Sequence, residues 1–375
     1  EPLNWDAGVP DNEMNALIPA TATSMPIVAS VGAECKNLEV ENSASLTLSG
    51  SNEISIYGNW TNNGTFTANT GNVILTGSSS NIINGATNQT LYDLTVSNVN
   101  GASIASGSIN IYGSLNVGIA AGSFNTGNAI TLISDASGTA RIPELASMCL
   151  YTLDMSDSYG DSWNDGYITV NIDGVPSGTY FAKGSNTVDT IPIGGGSTIE
   201  LVYTAGSYEN ENTYTLYNPT GTPVFSDGPT PATGSVYTGT STCAFFNPIA
   251  GNITMQRYID AGPTNWRFLS SAVGGTTLAD WNDDFITSGF VGADFPDWPA
   301  PDSLWPSIYF YDESVVGIID SGFVAATNTS NPLAVGEGAW AWSGDTITGT
   351  QPFVIDVTGP PNAGNGTAGT ANTGG

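Results

Sequence analysis

Histidine is absent from this chain of 375 residues, and lysine and arginine together number only five. Without histidine the commonest general base is gone, and with it every Ser-His-Asp or Cys-His arrangement. Against the five cations stand 34 carboxylates, giving a net charge of -29 and a pI near 4.1. A surface of that sign cannot neutralise phosphates unaided, which excludes nucleic acid as a partner. An anionic membrane surface repels it for the same reason. No signal peptide is recognisable and no apolar run reaches the length of a membrane span, so membrane insertion is not expected. Residue 1 opens inside a motif, so the chain reads as a piece of something longer. Three cysteines are too few for a disulfide scaffold. Charged residues make up only 10% of the chain while 40% are hydrophobic, which excludes a disordered acidic tail and leaves material for several cores.

What is abundant is glycine, 46 residues of it, with much Asn, Ser and Thr. That composition favours turns and strands over helices. So large a charge repels itself in dilute buffer. The Debye length shrinks from ~10 Å at 0.1 M to ~3 Å at 1 M salt, so sea-strength salt or divalent cations suppress the repulsion. The composition suits a salty, calcium-containing exterior.

Short apolar alternations recur between residues 35 and 133: Leu38-Glu-Val, Leu46-Thr-Leu, Ile54-Ser-Ile, Val73-Ile-Leu, Leu94-Thr-Val, Ile109-Asn-Ile, Leu115-Asn-Val and Ile130-Thr-Leu. Gly, Asn or Ser separates each from the next, at intervals of about six to twelve residues. Three residues alternating in and out, then a polar corner, is what a stacked solenoid rung requires. An ordinary β-sandwich is the alternative, since its strands recur at ~8–12 residues. The reading is an all-β chain: a parallel β-solenoid over 1–145, then two β-sandwich-like domains over 146–244 and 245–359. Strands of the first sandwich are expected at 149–155, 167–173, 178–182, 188–193, 198–204, 212–218 and 222–226, with hairpin turns at Asp173-Gly174 and Gly194–Gly196. Residues 360–375 are Gly, Asn, Ala and Thr, a linker or a truncated domain end.

Residues 157–166, Asp-Ser-Tyr-Gly-Asp-Ser-Trp-Asn-Asp-Gly, pack three carboxylates and several turn formers between two strand-like runs. Lys183 is the only cation in that domain. Hard cations take six to eight oxygens, which carboxylates alternating with Ser, Asn and Gly carbonyls can supply. Calcium ligands are therefore sought among Asp157, Asp161 and Asp165, with Glu209 and Glu211 from the later acidic turn. The spacing is not that of an EF-hand, and the competing reading is a hydrated turn capped by Asx bonds.

This segment resembles the Asp-Ser-Tyr-Gly-Asp-Gly-Trp-Asn-Gly modules of giant surface proteins in Bacteroidota, although Ser162 and Asp165 stand where those modules have glycine. Asn4-Trp5-Asp6-Ala7-Gly8-Val9-Pro10, Leu17-Ile18-Pro19, Cys35-Lys36-Asn37-Leu38 and Asn59–Phe66 are similar, in that order, to the parallel β-helix modules of secreted Bacteroidota proteins, over about residues 4–142. Gly251–Ile259, Trp266–Ser271 and Asn331–Gly338 resemble a further β module of the same proteins. The resemblance implies a type IX-secreted surface adhesin or extracellular appendage. In those modules two cysteines bracket the acidic motif, as Cys149 and Cys243 do here, which implies a bridge between them in an oxidising compartment. Closing such a loop stabilises by roughly 4–5 kcal/mol in the chain-entropy model. Cys35 is left as a buried apolar residue.

Other chemistry is weaker. Lyases of the solenoid class rely on basic residues, and the solenoid offers only Lys36 and Arg141. A glycosidase needs two carboxylates in a cleft, for which Asp280, Asp283, Asp284, Asp294 and Asp297 are available, but acidic residues are scattered throughout and no enzyme is expected. Six of the nine tryptophans lie after residue 260. They read chiefly as filling for a β core poor in Leu and Met, with Trp298 and Trp305 as candidate carbohydrate contacts. Asp-Ser/Thr-apolar triplets at Thr190, Ser303 and Thr346 look like O-glycan acceptors of that phylum. The expected function is structural and adhesive, with self-association into an oligomer or filament and attachment to cell-surface glycans or other cells. The alternatives are a secreted carbohydrate-binding protein and a polysaccharide-degrading enzyme.

Overall fold

In the computed structural model the chain is all β, with no α-helix among the described residues. The structure describes residues 5, 8–85, 88–118, 122–143, 148–194, 196–241, 248–344 and 351–361. Two compact units form, one from residues 1–145 together with 247–362, the other centred on residues 146–246.

Five full turns of a parallel solenoid run from Ala16–Ile18 to Leu115–Val117, each turn laying down three short strands. Stacked partners are 19 to 23 residues apart, as with Ile54 and Val73, or Trp60 and Ile83. Seven of the eight apolar triplets lie in these strands, the eighth, Ile130-Thr-Leu, in the rung that follows, and all bury their first and third residues. On one face Ala16, Leu38, Trp60, Ile83 and Ile104 stack in register; on another, Ile54, Val73, Leu94 and Leu115. Each turn thus covers the apolar face of the next, the condition for a one-dimensional array.

The asparagines make the corners. Asn37 Nδ2 donates to Asn15 Oδ1 at 2.7 Å, Asn37 Oδ1 accepts from the Asn59 N–H at 2.7 Å, and Asn59 Oδ1 accepts from the Ile82 N–H at 3.0 Å. Deeper in, Asn98 Nδ2 donates to Asn81 Oδ1 at 2.7 Å, and the Asn81 amide donates to the carbonyls of Ile56, Gly58 and Thr76. The bonds to the Asn59 and Ile82 N–H groups and to the Ile56, Gly58 and Thr76 carbonyls satisfy backbone groups that a tight turn leaves unpaired. Cys35 is buried in this core as a free thiol, and burial with the neighbouring Glu34 charge pushes its pKa up to about 12.

The boundary expected at residue 245 needs correction. Ile249 and Ala250 pair in parallel with Phe124 and Asn125, and Ile253, Thr254 and Met255 pair in parallel with Ile130, Thr131 and Leu132. The segment expected as a separate domain over 245–359 therefore resumes the solenoid ladder that stops before residue 146. Pairing between rungs depends on register in space, and a long insertion between two rungs leaves it intact. Phe353–Gly359 then pairs antiparallel with Ile253–Ile259 and ends that face. Residues between them form a four-stranded antiparallel sheet in the order Asn265–Leu269, Ala339–Ser343, Ile308–Tyr311, Phe323–Ala325. Its inner side chains Ala339, Ala341 and Ile308, with Trp281, Phe285 and Phe290, belong to the same buried cluster as the solenoid core. This segment supplies the cover that the last rung of a solenoid needs.

The second unit is a sandwich of two four-stranded antiparallel sheets. One has the order Asn186–Gly194, Met148–Asp157, Asn212–Tyr217, Pro223–Asp227; the other Val175–Tyr180, Tyr167–Ile172, Thr198–Thr204, Gly234–Thr240. The seven expected strands are present, and Gly234–Thr240 is an eighth. Their inward residues, among them Leu153, Met155, Ile168, Val170, Leu201 and Leu216, form a core of their own. Cys149 is buried in it, whereas Cys243, the other half of the expected bridge, lies outside the described residues. So do Thr346 and residues 362–375.

Candidate metal centre

Strand Met148–Asp157 delivers Asp157 to the rim of the sandwich, where it pairs with Asn212, the first residue of its neighbour. The Ser158 N–H donates to the Glu211 carbonyl at 3.0 Å, so the short 3-10 turn Glu209–Glu211 is held against the start of the acidic loop. The result is a triad. One carboxylate oxygen from each of Asp157, Asp161 and Glu211 lies within 4.8 Å of the others, the one group of this kind among the described residues. Two oxygens bonded to one calcium ion at ~2.4 Å are separated by at most ~4.8 Å, so the three can share an ion.

Asp157 is the unusual member. It is only 2% exposed, its Oδ1 accepts from the Gly160 N–H, and its Oδ2 has no protein partner. A buried carboxylate oxygen without a donor is costly unless a cation answers it. Burial, then the Asp157 and Asp161 charges, raise the pKa of Glu211 above the ordinary value. Two further buried oxygens without partners, Asn164 Oδ1 and Asn212 Oδ1, belong to the same segments.

The loop is held open by an aromatic wall. Trp163 is fully buried, and its Nε1 donates to the Ser156 carbonyl at 2.9 Å. Its ring lies 5.7 Å from Tyr203 and 5.9 Å from Tyr214, which stack on each other at 5.8 Å. With Trp163 pinned inward, the chain turns through positive φ at Gly160, Ser162, Asn164 and Asp165. Gly206 is required because a Cβ there would run into the backbone of Asn164 and Gly166.

Not every expected ligand joins. Asp165 is exposed and outside the triad. Glu209 is spent on the fold: its Oε2 accepts from Tyr203 Oη at 2.7 Å, its Oε1 from the Gly206 N–H at 2.5 Å. Asn164 and Asn212 were missed, and the sequence signal for them was weak, since asparagine is common in every turn of this chain.

The remaining candidates separate by environment. Thr190 is exposed on the nine-residue strand Asn186–Gly194, and Ser303 on the two-residue strand Ser303–Leu304. Of the tryptophans after residue 260, Trp281 is core, Trp266, Trp340 and Trp342 are half-buried, and Trp298 and Trp305 are 42% and 37% exposed. Three of the five carboxylates weighed as acid–base groups brace loops: Asp280 closes a capping box with Thr277, Asp294 accepts from the Thr287 N–H at 2.9 Å, and Asp284 accepts from the Asp356 N–H at 2.7 Å. Asp283 and Asp297 are exposed.

Burial, together with the Asp356, Asp283 and Asp280 charges, pushes the pKa of Asp284 up to about 7. An unfolded aspartate titrates near ~3.9, so the folded form binds the proton more tightly. Ionised Asp284 therefore opposes folding above pH 7, and that opposition is relieved as pH falls through 7 toward 4. Asp356 is shifted upward too, by burial and then Asp283 and Asp280, and acts in the same direction. Asp284→Asn is expected to raise the melting temperature of the first unit at pH 8 and to flatten its dependence between pH 8 and 5. Scanning calorimetry across that range checks it, and an unchanged slope in the variant would exclude Asp284 as the source.

Comparison with protein-family models, with curated proteins and with solved structures finds no match. No helix is long and apolar enough to cross a membrane, among the described residues.

Proposed function

We propose that this chain is a calcium-stabilised structural and adhesive segment of an extracellular appendage or surface protein. The observation that carries the reading is the Asp157–Asp161–Glu211 triad, in which a buried carboxylate oxygen has no donor. The sandwich's only cation, Lys183, lies over the Phe181 ring at 5.7 Å. A divalent ion reverses the sign of the field that three crowded carboxylates create. The resemblance of residues 157–166 to modules of Bacteroidota surface proteins, with the Cys149–Cys243 bridge it implies, supports an exterior setting. The solenoid acts as a stiff spacer, because each turn is braced by its neighbours. Its outward positions, rich in Asn, Ser and Thr and poor in Lys, do little to deter pairing between copies, so self-association belongs to the proposal.

Immunogold labelling of intact source cells tests this reading. Gold on external filaments or on the outer surface is the expected result; gold confined to the cell interior would sink it.

A further inference from the structure

The antiparallel sheet at residues 265–343 buries one side and leaves the other covered with rings. Directly opposed residues of antiparallel strands point to the same side. Trp266 opposes Trp342, and Trp340 opposes both Phe268 and Tyr309. Their neighbours Ala339, Ala341 and Ile308 are fully buried on the inner side. Phe268, by contrast, is 76% exposed.

The rings form a continuous track. From Trp298 the centroids step 5.4 Å to Trp305, 5.8 Å to Trp342, 5.5 Å to Trp266, 4.4 Å to Trp340 and 6.2 Å to Phe268. Trp298 and Trp305 stand at one end, on either side of the Pro299–Leu304 hairpin, with Asp297 and Asp302 exposed beside them. A contiguous exposed aromatic surface of this kind marks a binding site more often than chance exposure.

We propose that this track binds a neutral polysaccharide chain. Two observations choose that occupant. First, among the described residues the indole N–H groups of these five tryptophans donate no hydrogen bond, unlike that of Trp163. The track thus offers apolar faces together with free donors, and the flanking carboxylates are acceptors. A pyranose chain presents C–H faces edged by hydroxyls that both donate and accept, whereas an apolar peptide face would leave those indoles unpaired. Second, the chain carries a net charge of -29. That charge disfavours polyuronates and sulfated glycans. Six rings in one contiguous patch suit several sugar units, not one.

This gives the adhesive reading a partner class and rests on it to that extent. The track belongs to the unit that lacks the acidic triad, so the two tests fail separately. Affinity electrophoresis of the whole chain, with chelator present, would use glucomannan, xylan and a β-1,3-glucan as neutral probes and alginate as the anionic one. Retardation by at least one neutral polysaccharide and none by alginate is expected. Phe268→Ala and Trp298→Ala, both at exposed positions, should each weaken retention about tenfold, with circular dichroism and melting unchanged. No retention by any neutral probe, retention unaltered in both variants, or preference for alginate would each overturn the proposal. So would a concentration-dependent dimer, seen by sedimentation, that Phe268→Ala abolishes while no polysaccharide binds.

Discussion

Removing calcium with a chelator should lower the melting temperature of the sandwich unit by on the order of 10 °C, at matched ionic strength, if the proposed ion binds there. An ion that binds the folded loop and not the unfolded chain adds about 2.7 kcal/mol at a hundred times its Kd. For a domain of ~100 residues each kcal/mol moves the midpoint by roughly 4–8 °C. The variants sharpen the test. Asp157→Asn removes a buried carboxylate whose Oδ2 has no donor, so in chelator it should melt no lower than the parent. In calcium it should fall well below the parent, because a ligand charge is gone. Asp161→Asn and Glu211→Gln should also lose the calcium response, whereas Asp165→Asn should keep it, since Asp165 stands outside the triad. Because protons compete for the same carboxylates, and burial with the Asp157 and Asp161 charges raises the pKa of Glu211, the response should weaken as pH falls toward the carboxylate range. Superimposable melting curves in calcium and in chelator would leave the loop as a hydrated turn.

Excising residues 144–247, with about four Gly or Ser residues joining 143 to 248, should leave the first unit folded. Earlier turns pass from the third face back to the first in two to six residues, from the two between Cys35 and Leu38 to the six between Val117 and Phe124. The rung after the insertion is already in register with the rung before it. The two units also have separate buried clusters, so no residue of the first core is lost. A short loop costs little in closure entropy compared with a hundred-residue one. The expected product is monodisperse, shows β-type circular dichroism and unfolds cooperatively near the corresponding transition of the whole chain. A product that aggregates, or melts without a transition, would mean that the resumed ladder cannot form without the sandwich.

Much of the fold could be read from short patterns. Leu38-Glu-Val or Ile109-Asn-Ile specifies a strand with two buried positions whatever surrounds it, because side chains alternate with a period of two. The order of units was harder. Gly127-Asn128-Ala129-Ile130-Thr131-Leu132 and Gly251-Asn252-Ile253-Thr254-Met255 are versions of one rung, with Ile130 on Ile253 and Thr131 on Thr254. Along the chain they are more than a hundred residues apart, and the later one has the form of a strand that opens a new domain. A spacing of 22 residues from Asn15 to Asn37 to Asn59 also carried the rung period, hidden among many other asparagines.

The acidic site divides in the same way. Asp157 and Asp161 were visible because they share one short loop with no cation near. Glu211 and Glu209 were indistinguishable in sequence, two residues apart on one turn. Only the packed structure separates them: the Ser158 bond to the Glu211 carbonyl brings Glu211 to the triad, while Tyr203 and the Gly206 N–H take Glu209. The tryptophans were expected chiefly as core. Trp281 is core, while strand pairing aligns half-buried Trp266, Trp340 and Trp342 on the side of the sheet opposite to buried Ala339 and Ala341.

By itself, then, the sequence determined what depends on composition and near neighbours: an all-β chain, solenoid strands, a sandwich, an acidic loop, and no histidine chemistry. Tertiary structure decided which distant segments share a rung, which carboxylates meet and which face of a sheet stays open. Those outcomes depend on register between strands far apart in the chain, and register is set by the packing of a whole face at once.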